Sequence, residues 1–95
     1  MDDRQRNQFL ERTHHMSDSE IKLKKVLANV FKIEAMAVNE DTSVDTVERW
    51  DSLSHLNLIL ALELEFGISF SEEQSIEIMS YPLIKMVLQE HGVRF

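Results

Sequence analysis

From Ser52 to Phe66 the chain runs without a glycine or proline and carries apolar side chains on two sides of the helix that such a run must form. Asp51 precedes the run as a residue able to cap a helix start, and Gly67 follows it where a left-handed residue can end one. At ~100° per residue, Leu58, Ile59, Leu62 and Phe66 share one face, which is expected to pack against the helices before and after it. Leu53, Leu56, Leu60 and Leu64 recur three or four residues apart on roughly the opposite side. One small core does not need both rows. Either a short neighbouring helix and a loop cover Leu53 and Leu56, or the second row is a docking surface rimmed by Glu63 and Asn57, with Leu60 and Leu64 the better candidates for exposure.

The rest of the chain supplies partners for that helix. Ser17 and Glu20 have capping-box spacing, and Met16 and Ile21 fall where a hydrophobic staple would. A first helix follows, with Leu23, Leu27, Val30 and Phe31 inward and Lys22, Lys24, Lys25 and Lys32 mostly on the wet side. Over residues 34–50 the helical period is lost, and Asn39, Asp41, Thr42 and Ser43 compete for backbone hydrogen bonds. A loop this long must pack inward or serve a function, and Val38, Val44, Val47 and Trp50 are its expected anchors. Ser71 with Gln74 gives a second capping box, opening a short third helix through Ile76 to about Met79. Ser80 followed by Pro82 opens a fourth, whose Leu83, Ile84, Val87 and Leu88 face inward until Gly92. The expectation is an all-α, four-helix domain over residues 16–95, with three main helices, one short one and no strands. Residues 1–15 have, apart from Met1, only Phe9 and Leu10 as apolar side chains and are expected to form a flexible arm. His14 and His15 belong to that arm rather than to a metal site.

Composition narrows the functional classes. Lys+Arg 10 against Asp+Glu 17 gives a formal charge of −7, which opposes polyanions and favours basic protein surfaces over nucleic acid or anionic lipid. With no cysteine, thiolate catalysis and Cys-ligated zinc are excluded, and nothing calls for an oxidising compartment, so the cytoplasm is expected. No apolar run is long enough to span a bilayer. The acidic residues of the loop lack the spacing of a calcium loop, and no metal site is expected.

Trp50-Asp51-Ser52-Leu53 sets a serine hydroxyl at the end of a polar loop and in the first turn of a helix, where unpaired N–H groups and the helix dipole favour an anion. Serines at helix starts are common, and this placement alone identifies nothing. The same tripeptide Asp51-Ser52-Leu53, the helix ending Ala61-Leu62-Glu63-Leu64-Glu65-Phe66-Gly67-Ile68 and the short third helix together resemble an acyl carrier protein over residues 19–91. The resemblance implies an acyl-carrier-like bundle with a long loop between its first two helices. It implies that a phosphopantetheinyl transferase attaches 4′-phosphopantetheine, donated by coenzyme A, to Ser52, so that a chain without cysteine acquires a thiol for thioesters. It further implies that Asp51 helps the transferase's magnesium site and that Leu53 packs near the arm. The partners implied are that transferase and the acyl-loading and acyl-transferring enzymes, meeting Leu56, Leu60, Glu63 and Leu64. A free-standing, monomeric carrier with no catalysis of its own is the expectation.

The chain departs from the fatty-acid carriers of that family. Those carry acidic residues two, five and twelve positions after the modified serine, where this chain has Ser54, Asn57 and Leu64. Trp50 stands where a small or aliphatic residue is usual there and resembles carriers of specialised pathways. Dedicated partner enzymes are therefore expected, and efficient service in a reconstituted fatty-acid synthase would contradict this. Two other readings remain: an unmodified interaction module using the Leu53, Leu56, Leu60 and Leu64 face, and an esterase-like enzyme pairing Ser52 with His55, one helical turn away. The second lacks an identifiable group to orient the histidine or an oxyanion hole, and His55 is expected at the surface beside the arm. Cargo and pathway are not written in the sequence. Phe31, Ile59 and Leu62 are read as ordinary core rather than as a cargo space.

Overall fold

A computed structural model describes residues 17–95 and shows an all-α domain of four helices, one of them short. They are α1 (Asp18–Phe31), α2 (Ser52–Phe66), α3 (Glu72–Glu77) and α4 (Tyr81–Glu90), with a 3-10 turn at Ala35–Ala37. Residues 1–16 lie outside this description, and with them the expected arm, the His14–His15 pair and the Met16 half of the staple. Among the described residues there is no strand, only an isolated antiparallel bridge between Ser43 and Ser80. No helix among them is long and apolar enough to cross a membrane.

Local chemistry sets the helix ends. The Asp51 carboxylate accepts the Ser54 N–H at 2.9 Å, and Gly67 closes α2 at φ 65°, its N–H returning to the Glu63 carbonyl. The box at α3 is complete, since Ser71 Oγ accepts the Gln74 N–H and Gln74 Oε1 accepts the Ser71 N–H, each at 3.1 Å. Ser80 Oγ caps α4 with Pro82 in its first turn. The box expected at α1 forms only by half. Ser17 Oγ accepts the Glu20 N–H at 3.1 Å, but the Glu20 carboxylate accepts instead from the Tyr81 hydroxyl at 3.1 Å and from Lys85 Nζ at 3.4 Å. A charged, half-buried partner from α4 outcompetes a neutral backbone donor. Nor does α1 end on a glycine: Lys32 takes the left-handed conformation at φ 58°.

One core joins α1, α2, α4 and the loop. Leu23, Val26, Leu27 and Phe31 meet Leu58 and Leu62, with Tyr81, Ile84, Val87 and Leu88 completing the cluster. Val38 and Trp50 are buried in it and Val44 and Val47 half-buried against it, so the long loop is anchored by the four side chains expected to do so. Its polar residues satisfy its own backbone: Asn39 Oδ1 accepts from Asp41 N, Thr42 Oγ1 from Asn39 N, Ser43 Oγ from Asp45 N and Thr46 Oγ1 from Ser43 N. Two bonds join it to the start of α4, Val44 N to the Met79 carbonyl and Tyr81 N to the Thr42 carbonyl. This pairing draws the chain out of helix at Ile78, so α3 stops two residues before the expected Met79.

Tyr81, not singled out in the sequence, is fully buried and forms the inward row of α4 with Ile84, Val87 and Leu88, while Leu83 lies off that row and is exposed. Residue 83 stands ~100° from residue 84 on the helical wheel, which rotates it past the edge of the buried face. Burial and the Glu20 hydrogen bond push the Tyr81 phenol well above its ordinary value of 10.0. The unfolded chain therefore loses this proton first as pH rises, and the stability due to the neutral phenol, fully present below about pH 10, is lost upward through the folded-state value. In denaturant titrations the wild type is expected to lose stability above pH 10 more steeply than Tyr81→Phe; parallel curves would contradict the assignment.

Candidate functional site

Ser52 is the first residue of α2 and is exposed. The loop delivers it: Trp50 is buried as an anchor, and Asp51, held extended at φ −104° and ψ −174°, turns the chain into the helix. N–H groups at the first helical positions have no partner within a helix. The Ser54 backbone N–H, followed by the Ser54 side chain, holds the Asp51 carboxyl below its ordinary value.

Beside Ser52 opens a groove of about 570 Å³, within the ~300–1,000 Å³ usual for small-molecule sites. Val44 and Trp50 form its loop wall; Asp51, Ser52, His55 and Ile59 form its α2 wall; Ser75, Ile76 and Met79 close the far side. Most of this lining is apolar, and its polar members are Asp51, Ser52, His55 and Ser75.

His55 is not the surface residue expected. It is half-buried, and both ring nitrogens are engaged: Nδ1 accepts the Trp50 Nε1–H at 3.0 Å, and Nε2 lies 2.7 Å from the Ser75 carbonyl oxygen. Because an indole N–H only donates and a carbonyl only accepts, the proton resides on Nε2. The Trp50 ring lies between two others, 4.5 Å from Phe31 and 6.3 Å from His55, centroid to centroid. No recognised spacing links residues 50, 55 and 75, so sequence reasoning had no signal for this chain of contacts.

Among the described residues, the second apolar row of α2 is exposed along its length. Leu53 is 69% exposed, Leu56 and Leu60 53% each and Leu64 86%. Neither α3 nor the loop covers Leu53 or Leu56. The row begins next to Ser52 and runs down α2, with Ile76 of α3 also exposed. Glu63 stands half-buried on the same helix, one carboxylate oxygen accepting the Phe70 N–H at 2.9 Å, so it also fixes the turn after Gly67. Of the expected site residues, Asp51, Ser52 and Leu53 gather at the head of α2, while Leu56, Leu60 and Leu64 extend from it. Phe31 and Leu62 are fully buried core, whereas Ile59 reaches the groove. No protein-family model matches the chain.

Proposed function

We propose that this chain is an acyl carrier that bears a phosphopantetheine arm on Ser52 and presents thioester-linked intermediates to partner enzymes. The observation that carries the reading is the coincidence of an exposed serine at the head of α2 with an adjoining groove whose walls are largely apolar. The residues fit the group. Unpaired helix-start N–H groups suit a phosphodiester, and the groove suits an apolar chain. The arm, when bound, supplies a terminal thiol at which acyl groups form thioesters. The chain's own residues hold that serine outward, keep Asp51 ionised beside it and leave Leu56, Leu60 and Leu64 free for partners. Tethering then keeps the cargo at high local concentration without tight binding to any one enzyme.

The esterase reading draws no support from this geometry. A general base needs a free lone pair, and the only one on His55 already receives the Trp50 N–H. The unmodified interaction module shares the Leu row and differs only in never being modified. A phosphopantetheinyl transferase supplied with a fluorescent coenzyme A analogue would join the labelled phosphopantetheine to the serine oxygen and release adenosine 3′,5′-bisphosphate; on peptide mapping, label confined to the peptide holding Ser52 supports the reading, and label elsewhere or nowhere does not.

Asp51→Asn separates fold from modification. Asparagine caps helices about as well as aspartate, so stability is expected to hold. Loss of the charge is expected to slow magnesium-dependent modification ~10-fold or more. Equal initial rates for variant and wild type would remove Asp51 from the reaction.

A further inference from the structure

α3 forms one wall of the groove, yet it is six residues long, too short to persist without ties to the rest of the molecule. Its start is held by the Ser71–Gln74 box and by Gln74, which bonds His91 and Glu90. Its end is held by buried Ile78 and by the Met79 carbonyl, which accepts the Val44 N–H. The side chains that this wall turns to the groove do little to fix it, since Ile76 of α3 is 69% and Met79 beyond its end 44% exposed. Nearer Ser52, a second tie between the two walls is His55, which joins the Ser75 carbonyl on α3 to the Trp50 indole on the loop.

We propose that His55 is a positioning residue that holds α3 over the groove and so sets how far the groove opens for the cargo on Ser52. The cargo half of this inference rests on the carrier reading; the geometric half does not. Residue 55 faces a pure donor on one side and a pure acceptor on the other, 3.0 and 2.7 Å away. It must therefore accept and donate at once, which a neutral imidazole or a carboxamide can do and an alkyl or acidic side chain cannot. Without it, the Ser75 carbonyl and the Trp50 N–H lose their protein partner together.

Hydrogen exchange on the full, unmodified chain tests the geometric half in wild type, His55→Leu and His55→Gln. The Ile78 N–H, bonded to the Gln74 carbonyl, reports α3, and amides of α1 report global opening. His55→Leu is expected to speed exchange at Ile78 and at Trp50 Nε1 about tenfold or more relative to α1, the loss of two hydrogen bonds of modest net worth. His55→Gln should stay close to wild type, a rescue that mere filling of space would not produce. Unchanged ratios in His55→Leu would overturn the proposal. For the cargo half, the same variants are loaded at Ser52 with an acyl-pantetheine, and thioester cleavage by hydroxylamine is timed. Faster cleavage in His55→Leu alone supports control of the groove, and equal rates in all three contradict it. A chain that takes no arm would show this beforehand in its mass, overturning the carrier reading while leaving the exchange result to judge the tie.

Discussion

Trp50→Ala is expected to cost about 3–5 kcal/mol, the range for removing a large buried aromatic, and so to bring the domain near its unfolding threshold. The indole is 7% exposed and lies 4.5 Å from the Phe31 ring, so its removal opens a cavity between α1 and the loop. It also strips the partner from His55 Nδ1. For a domain of this size such a loss corresponds to a fall in Tm on the order of 20 °C. Trp50→Phe keeps ring packing and loses the N–H, so its cost should be close to the ~1 kcal/mol of a single hydrogen bond. Thermal denaturation of both variants checks the assignment. Similar small losses would mean that Trp50 is not the anchor of the loop that delivers Ser52.

Ser52→Ala should abolish modification completely while leaving the fold intact. The side chain is exposed and is not the cap of α2, a duty that belongs to Asp51, so its removal should change stability by no more than ~0.5 kcal/mol in either direction. Loss of modification in a variant with an unaltered denaturation curve then reports the attachment atom rather than unfolding. Retained modification would move the attachment elsewhere; Ser54, half-buried within the same first turn, is the nearest alternative.

What the sequence makes legible here is what depends on near neighbours. Asp51, Gly67, Ser71 with Gln74 and Ser80 mark helix ends because each cap is completed within four residues. The two rows of α2 follow from its length, which gives the helical period four turns in which to repeat. Ser52 is legible for the same reason, standing directly after a cap. The rest depends on distant partners. Glu20 leaves its local box for Tyr81 and Lys85, more than sixty residues away, and nothing near Glu20 announces them. The burial of Tyr81 is hidden by its place ahead of a proline, at the edge of the apolar pattern. α3 is under two turns long, too short for periodicity to separate exposed Ile76 from buried Ile78. His55 reads as a surface histidine because its two partners come from the loop and from α3, and only folding brings them to one ring.

A single covalent bond at Ser52 separates an acyl carrier from an unmodified helical module. Intact mass is to be measured after incubating the chain and its Ser52→Ala variant with coenzyme A, Mg²⁺ and a broad-specificity phosphopantetheinyl transferase, beside a carrier known to accept the arm. One phosphopantetheine added to the wild type and none to the variant is the expected result. Wild type that stays folded and unmodified while the control is fully modified would contradict it.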